Sequence, residues 1–272
     1  MRKIIRTLLA LAACALLFYG GINLASYLLE SGKSASANQN LISMAVAVKS
    51  EDPNGEDSAP DPAESIDSQE ETQPQLPYLD EDAPIEVDFS VLQAQSQDVA
   101  GWLYCEDTPI NLPVCQGKDN EYYLCHLYDG TGNASGTLFM DYRSPRDFSA
   151  GNTVIYGHNM KNRTMFGSIS NYRKQEYYDT HPALWLLTPQ QDYKLEPVAG
   201  VIMPAVSEIY SPDMSPEQAY DLITTLLEQS TFQTDLQLHP TDRFVTLSTC
   251  SYEYEDARYV VIARILPLRP KP

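Results

Sequence analysis

The stretch Arg243-Phe244-Val245-Thr246-Leu247-Ser248-Thr249-Cys250 predicts a β-strand that ends in a thiol. Its β-branched and aromatic residues alternate as strand residues do, and Tyr259-Val260-Val261-Ile262-Ala263 has the same character. The polar segment 251–257 between the two runs predicts a loop. The chain therefore turns back on itself, and the start of the second strand returns Arg258 toward Cys250.

A second strand tip, far upstream, carries an imidazole. Thr153-Val154-Ile155-Tyr156 predicts a short strand, and Gly157 and His158 follow it directly. A cysteine nucleophile needs a nearby base or cation to hold its thiolate, and the oxyanion that it creates needs a donor that keeps its proton. Histidine and arginine meet these two needs, so the sequence predicts Cys250, His158 and Arg258 as one catalytic site.

Each of these residues also has a purely structural interpretation. Cys250 could be a core cysteine, although Ser-Thr-Cys-Ser is poor core sequence. Arg258 could pair with an acidic residue of the preceding loop, a surface contact that contributes little to stability. The neighbours Cys125 and His126 are the main rival for the nucleophile and base, but no candidate oxyanion donor accompanies them. The glycine-histidine context of His158 therefore favours the first pair.

Together these motifs resemble those of the sortases, most closely class B. The resemblance covers about residues 89–266 and rests on Thr246-Leu247-Ser248-Thr249-Cys250 with Arg258, on Tyr156-Gly157-His158, and more weakly on Asn120-Glu121-Tyr122-Tyr123-Leu124 and on residues 136–143. It implies a transpeptidase that joins a surface protein to the peptidoglycan of a Gram-positive bacterium.

The resemblance also implies roles and partners. Cys250 would form a thioester, His158 would protonate the leaving amine, and Arg258 would bind the oxyanion. The substrate would be a C-terminal sorting signal of the Asn-Pro-x-Thr or Pro-x-Thr-Gly type, cut after threonine, and the acceptor an amino group of peptidoglycan or its precursor. No cofactor or metal is expected. Four further residues would line the substrate groove, namely Asn120, Leu124, Tyr156 and Ser248.

Three other functions stay open at this point. A hydrolytic cysteine peptidase would use the same residues but transfer the acyl group to water. A non-catalytic, membrane-anchored binding module would keep the three residues without using them. A pilin-polymerising sortase commonly has a second membrane segment after the barrel; no second apolar span precedes Pro272, and this argues against that class.

The first 30 residues predict a membrane anchor. Residues 2, 3 and 6 are basic, and residues 7–29 contain no charged side chain, which is long enough to cross a bilayer. The basic start favours a cytoplasmic N-terminus and an extracellular remainder. A cleaved signal peptide is the alternative, but its apolar core is usually shorter. Lipidation at Cys14 is a further alternative, although the apolar run continues beyond that cysteine.

Residues 31–84 are expected to form an acidic, disordered spacer, and residues 85–272 the catalytic domain. Fourteen acidic residues and no lysine or arginine lie between Glu51 and Asp88. Such a composition cannot bury enough apolar surface to offset the entropy of ordering, and self-repulsion keeps it extended. The sequence thus predicts a passive stalk that provides reach or solubility.

Charge and cysteine content limit the remaining function classes. The formal net charge is −19, and about half of it lies in residues 1–88, so the remainder has a net charge of −9. Nucleic-acid binding is therefore disfavoured, because phosphate needs a basic surface. Cys105, Cys115 and Cys125 lack the spacing of a metal site, and a disulfide among them stays open.

The periodicity of the remaining sequence predicts a mostly β domain, closed as a barrel, with a few helices. Helices are expected at 89–99, 165–178 and 215–228, the last with Ser215 as N-cap and Pro216 in its first turn. Strands are expected at 101–104, 110–114, 136–141, 152–156, 183–188, 193–203, 244–249 and 259–266.

Overall fold

The computed structural model describes residues 2–49 and 78–270 of the chain. A long N-terminal helix leads to a short two-stranded sheet and then to a larger sheet with three short helices. The helices are α1 (Arg2–Ala45), α2 (Phe89–Gln95), α3 (Gln175–Thr180) and α4 (Pro216–Leu226). The strands are β1 (Val46–Val48), β2 (Ile85–Val87), β3 (Val99–Tyr104), β4 (Asn111–Cys115), β5 (Leu138–Met140), β6 (Asn152–Tyr156), β7 (Leu184–Leu187), β8 (Asp192–Pro204), β9 (Arg243–Cys250) and β10 (Ala257–Pro267).

The eight strands β3 to β10 close into a barrel in the order β10-β8-β7-β3-β4-β5-β6-β9. The predicted fold class, a mostly β domain closed as a barrel with a few helices, is confirmed. Two neighbouring pairs, β4 with β5 and β6 with β9, are parallel, and the other pairs are antiparallel. Closure leaves none of these strands with an open edge.

The alternation along β10 shows how the sequence builds this barrel. Tyr259 and Val261 belong to the cluster of buried residues that draws on all eight strands and fills the interior. The intervening Val260 and Ile262 belong to a separate cluster under α4. Because successive side chains of a strand point to opposite faces, a strand buried on both faces has a nearly continuous apolar sequence.

Helix α4 covers the outer face of β8 and β9. Ser215 caps the helix through its side chain, which accepts from the backbone of Gln218, while the Gln218 side chain bonds back to the Ser215 backbone. Ala219 and Ile223 are buried in the contact with the barrel. The predicted N-cap is therefore confirmed, and the amphipathic pattern explains the position of this helix.

The helix expected at 165–178 is broken in the structure. A 3₁₀ helix, Ile169–Arg173, precedes α3, and Lys174 between them has extended dihedral angles. The carbonyl of Tyr172 accepts from the Thr231 hydroxyl at 3.1 Å. Contacts with the rest of the domain thus replace the helical hydrogen bonds that a continuous helix would form.

Residues 31–49 differ most from expectation, because they are ordered and contact the domain. Helix α1 continues through them, Leu41 is fully buried, and β1 pairs with β2 in antiparallel fashion. Leu41 and Ala45 join an apolar cluster with Phe89 and Leu92. The prediction of a disordered spacer is therefore wrong for residues 31–49. The segment is polar on average, but a few apolar residues, among them Leu41 and Ala45, are enough to dock it on the domain. Most of the acidic part of the predicted spacer, residues 50–77, lies outside the described residues.

Helix α1 also contacts two loops of the barrel. The Asn133 amide donates to the carbonyl oxygen of Glu30 at 2.9 Å, and the Asn162 amide donates to the Ser31 hydroxyl at 2.8 Å. The helix contains one span that is long and apolar enough to cross a membrane, by length and composition. Side chains such as Leu17 and Phe18 on this span are exposed. One continuous helix thus joins the apolar span to the barrel.

The docking of α1 predicts a stability difference between two of its positions. In a soluble chain starting at Ser31, Leu41→Ala should lower the free energy of unfolding by about 2–5 kcal/mol, the usual effect of truncating a buried leucine. Met44→Ala is the matched control, since Met44 is half exposed on the same helix. Urea unfolding followed by circular dichroism measures both. Equal stabilities of the two variants would show that the helix does not contribute to the fold.

Candidate functional site

The parallel pairing of β6 with β9 sets the site. Tyr156 pairs with Ser248, so the two strands end at the same edge of the barrel. His158 and Cys250 each lie two residues beyond this pair. In a parallel pair, residues that are equally far beyond a paired position lie side by side. This register therefore brings the strand end that bears the imidazole next to the strand end that bears the thiol.

The antiparallel hairpin of β9 and β10 adds the guanidinium. Arg258 pairs directly with Cys250 at the loop end of this hairpin, as the sequence predicts. The Arg258 side chain donates to the carbonyl oxygen of Ala257 at 3.0 Å. The ion pair with the preceding acidic loop, which was the alternative interpretation of this arginine, does not form among the described residues. Strand β9 thus carries Cys250 between β6, which leads to His158, and β10, which bears Arg258 as its second residue.

Hydrogen bonds join the residues on either side of His158 to the end of β9. The backbone N–H of Gly157 donates to the Ser248 carbonyl at 3.1 Å, and the Thr249 hydroxyl donates to the Gly157 carbonyl at 2.7 Å. The Asn159 amide donates to the Cys250 carbonyl at 2.8 Å. His158 is therefore positioned from both sides by the strand that bears the thiol.

Gly157 is required at its position by space. A Cβ atom there would lie 2.5 Å from a methyl carbon of Leu138 and 2.7 Å from the ring of Phe166. Both neighbours are buried in the barrel interior and have no free space into which to move. The glycine that precedes His158 thus allows the β6 backbone to lie close against the core.

His158 is oriented by the 3₁₀ helix Tyr122–Leu124. Its Nε2 lies 2.8 Å from the carbonyl oxygen of Leu124. A carbonyl can only accept, so Nε2 carries a hydrogen in this contact. Nδ1 is therefore the ring nitrogen that is left to exchange a proton.

All seven predicted site residues line one groove of about 350 Å³. Its lining includes a thiol, an imidazole and a guanidinium, the groups that acyl transfer through a thioester requires. The predicted residues in the groove are Cys250, His158, Arg258, Asn120, Leu124, Tyr156 and Ser248.

Sequence reasoning missed Tyr210, which also lines the groove. Its hydroxyl lies 3.0 Å from that of Ser248, and its ring stacks on Tyr156 with the centroids 6.1 Å apart. Burial raises the pKa of Tyr210, although the Ser248 hydrogen bond and the charge of Arg258 oppose that rise. The phenol therefore stays protonated. No pattern in the surrounding sequence marks this tyrosine, because only the tertiary fold brings it to β9.

A second residue missed by sequence reasoning is Asp141, which is buried just behind the groove. Arg143 binds it with two side-chain N–H groups, and Asn120 and Tyr156 also donate to it. Burial acts to raise the pKa of Asp141, but these hydrogen bonds, chiefly those from Arg143, outweigh it and lower the pKa below its ordinary value. The carboxylate is therefore ionised at neutral pH.

The rival pair Cys125 and His126 lies on the surface. The Cys125 sulfur is 3.5 Å from Nδ1 of His126, and the same Nδ1 is 2.8 Å from the Tyr122 carbonyl oxygen. Because the carbonyl must accept, Nδ1 carries the hydrogen and cannot act as a base toward the thiol. Cys125 and His126 are absent from the residues that line the groove.

The other cysteines of the domain are free thiols, as are all five of the chain. Cys105 and Cys115 are buried, and burial raises the pKa of Cys105 to about 11 and that of Cys115 still further. Such thiols are poor nucleophiles at neutral pH. Within the described ranges, no group of three or more histidine, cysteine, aspartate or glutamate side chains could hold a metal ion.

Comparisons with known proteins agree with this geometry. Residues 103–266 match the family described as the Sortase domain. Sortase B of Listeria monocytogenes is 34% identical over 179 residues, which are 64% of this chain and 72% of that protein. The solved Staphylococcus aureus sortase B–substrate complex has a TM-score of 0.62 and 29% identity over 66% of this chain and 85% of that one.

A Bacillus anthracis structure described as similar to sortase B has a TM-score of 0.61 and 34% identity, over 66% of this chain and 83% of that one. The family match alone spans more than half of the chain, and these relatives share its barrel. The chain belongs to the sortase family of transpeptidases, and its relatives place it in class B.

Proposed function

We propose that this protein cleaves a C-terminal sorting signal through a thioester on Cys250 and transfers the acyl group to an amine of peptidoglycan. The observation that carries the proposal is the arrangement of three adjacent strands, β6, β9 and β10, whose ends place His158, Cys250 and Arg258 in one groove. Four other grooves among the described residues are lined by no cysteine, histidine or arginine.

The first half of the reaction forms the thioester. The Cys250 thiolate adds to the carbonyl carbon of threonine in the signal, and the resulting oxyanion accepts hydrogen bonds from Arg258. Protonated His158 gives its proton to the leaving amine, the carbon–nitrogen bond breaks, and the acyl group stays on sulfur. The Leu124 carbonyl supports this role, because it holds Nε2 and leaves Nδ1 to carry the transferred proton.

The second half of the reaction releases the product. An acceptor amine attacks the thioester carbonyl, passes a proton to His158, and expels the Cys250 thiolate. The new bond is an amide, and both side chains return to their starting protonation states. Arg258 binds the oxyanion again, since the second tetrahedral intermediate carries its charge on the same oxygen.

The proposed substrate, a C-terminal sorting signal, is supported by the lining of the groove and by the similarity to known sortases. A signal of the Asn-Pro-x-Thr type, or a Pro-x-Thr-Gly relative, would lie extended along the residues that line the groove, with threonine at Cys250. One relative is described as a sortase B–substrate complex, which supports this use of the groove. The net charge of −9 on residues 89–272 tolerates a cationic amine as the acceptor.

The N-terminal helix supports a membrane location. Its apolar span is long enough to cross a bilayer, and the basic residues at its start favour a cytoplasmic N-terminus. The barrel would then lie on the outer side, facing the cell wall of a Gram-positive bacterium. This placement brings the groove to the compartment in which secreted proteins and peptidoglycan meet.

The first prediction for this mechanism concerns the nucleophile. Cys250→Ala should lower peptide cleavage and transfer by at least about a thousandfold, because sulfur forms the covalent intermediate. Cys125→Ala is the matched control, since it removes an exposed thiol outside the groove. Mass spectrometry of the acyl-enzyme and chromatography of the products measure both steps. A Cys250→Ala protein that still transfers peptide would exclude the proposed intermediate.

The second prediction concerns the oxyanion donor. Arg258→Lys should reduce kcat about 100- to 1000-fold. An ammonium group cannot reproduce the planar guanidinium donors that would bind the oxyanion of the substrate carbonyl. Arg264→Lys is the control on the same strand, where the arginine pairs with Glu196. If both variants turn over at the parent rate, Arg258 has no role in the chemistry.

A competition experiment separates transfer from simple hydrolysis. The acyl-enzyme is supplied with increasing concentrations of a small peptide amine, and the acid and amide products are quantified. A transpeptidase should shift from acid to amide as the amine concentration rises. Production of acid alone at every amine concentration would instead favour the hydrolytic cysteine peptidase.

A further inference from the structure

The loop that follows His158 carries positive charge in a domain that is acidic as a whole. Residues 148–175 contain no aspartate or glutamate, although residues 89–272 have a net charge of −9. Lys161 and Arg163 lie in this loop, which joins β6 to the 3₁₀ helix Ile169–Arg173. Both are exposed, and neither forms an ion pair among the described residues. The loop thus presents two cations that no carboxylate neutralises.

A hydrogen bond between these two cations fixes the loop on helix α1. The side-chain amide of Asn162 donates to the Ser31 hydroxyl at 2.8 Å. Its amide oxygen accepts from the hydroxyl of Thr164 at 2.7 Å and from the backbone N–H of the same residue at 3.2 Å. Lys161 and Arg163 therefore flank the point at which the loop touches the helix.

The acidic residue nearest to this contact in the sequence, Glu30, is engaged elsewhere. Its carboxylate accepts from the backbone N–H of Ala134 at 3.2 Å, and its carbonyl oxygen accepts from the Asn133 amide at 2.9 Å. Glu30 is the only acidic residue before residue 51, and an exposed lysine, Lys33, follows it on the same helix. The contact between α1 and the loop after His158 thus has an excess of positive charge.

The strand directions show at which end of the barrel this contact lies. Strands β3 and β6 run the same way, because β3–β4 and β5–β6 are antiparallel pairs while β4–β5 is parallel. Strand β6 is parallel to β9, which ends at Cys250, so the loops after β3 and β6 lie at the catalytic end of the barrel. Side chains of both loops and of α1 residues 31–42 line one cavity of about 260 Å³.

The other end of α1 lies away from the groove. Helix α1 contacts α2, which leads into the start of β3, and the backbone N–H of Asp88 donates to the Ala45 carbonyl at 2.8 Å. The helix therefore runs along the barrel wall from the start of β3 toward the catalytic end. Followed toward its N-terminus, it leaves the domain at the end that bears the groove.

The apolar span ends just before the contact with the loop. Residues 7–29 contain no charged side chain, and Ser31 lies two residues beyond Leu29, about 3 Å further along the helix axis. The headgroup layer on each side of a bilayer is about 5–7 Å thick. If the span crosses the bilayer as proposed above, the loop bonded to Ser31 lies at the level of the headgroups. Lys161 and Arg163 are then at the height of the lipid phosphates.

We propose that Lys161 and Arg163 form a lipid-docking surface, which binds the headgroup phosphates of anionic phospholipids beside the span. This inference rests on the proposed function, since the membrane location of α1 is part of it. Arginine binds a phosphate through two N–H groups and lysine binds it as a compact charge. Lysine and arginine close to a membrane are attracted to anionic headgroups. Lipid is favoured over a soluble anion, because the span keeps lipid at a high effective concentration beside the loop.

The same loop is joined to the catalytic residues. Asn159 donates to the Cys250 carbonyl at 2.8 Å, and the His158 carbonyl accepts from the backbone N–H of Phe166 at 3.1 Å. Docking of the loop on lipid therefore fixes the orientation of the groove over the bilayer. The chemistry itself does not need lipid, since neither Lys161 nor Arg163 lines the groove.

The test uses the full chain inserted through α1 into nanodiscs of phosphatidylcholine and phosphatidylglycerol in equal parts. A trace of one lipid or of the other carries a photoreactive group on its headgroup, and mass spectrometry identifies the cross-linked peptides. In the parent, segment 159–164 should cross-link to phosphatidylglycerol at least about fivefold more than to phosphatidylcholine, the factor expected for one cation near an anionic surface. Lys161→Gln combined with Arg163→Gln should reduce this ratio to less than about twofold.

Lys118→Gln combined with Arg146→Gln is the matched control, since it removes two exposed cations at the other end of the barrel. Arg146 donates to the Val99 carbonyl at the start of β3, and Lys118 follows the end of β4, which is antiparallel to β3. This control should keep the cross-linking ratio of the parent. Cleavage of a soluble signal peptide in detergent should be equally fast in the parent and in the Lys161→Gln/Arg163→Gln protein.

The outcomes separate this inference from the proposed function. If the chain inserts and forms a thioester, but the parent and the Lys161→Gln/Arg163→Gln protein cross-link with the same ratio, the docking surface is wrong and the proposed function stands. If the ratio changes as predicted but a signal peptide forms no thioester, the chemistry is wrong and the docking surface stands. A chain that does not insert into the nanodiscs would overturn both the docking surface and the proposed membrane location.

Discussion

The parallel pairing of β6 with β9 is the interaction on which the site depends. Its register places Tyr156 opposite Ser248, and the residues two positions further along each strand become neighbours. A slip of one residue would turn every side chain of one strand to the other face, moving Val245 and Leu247 out of the barrel interior. The apolar alternation that builds the core therefore also determines that a thiol and an imidazole meet at its rim.

The sequence predicts the local parts of this arrangement well. The hairpin of β9 and β10 follows from alternation and a polar loop, so the pairing of Cys250 with Arg258 could be anticipated. Tyr210 and Asp141 could not, because they reach the groove through contacts between segments far apart in the chain. A buried aspartate has no local signature, since its partners come from three separate elements.

The N-terminal region shows a different limit of sequence reasoning. A strongly acidic segment dominates the composition between the apolar span and the barrel. The average over this region therefore gave no sign of the few apolar residues around Leu41 that pack against the domain. Averages over long windows miss a single helix that docks through a few residues. Burial of Leu41 depends on partners such as Ile85 and Leu92, which appear only beyond the acidic segment.

The docking of α1 changes the mechanical picture of the protein. A flexible stalk would let the barrel sample a large volume, whereas a helix that continues from the apolar span and packs against the domain acts as a rigid rod. The helical segment from residue 30 to residue 45 is about 24 Å long at the usual rise per residue. If the span crosses the bilayer as proposed, this rod sets the height of the groove above the lipid. Substrates would then be captured within a thin layer at the membrane surface, as they emerge from it.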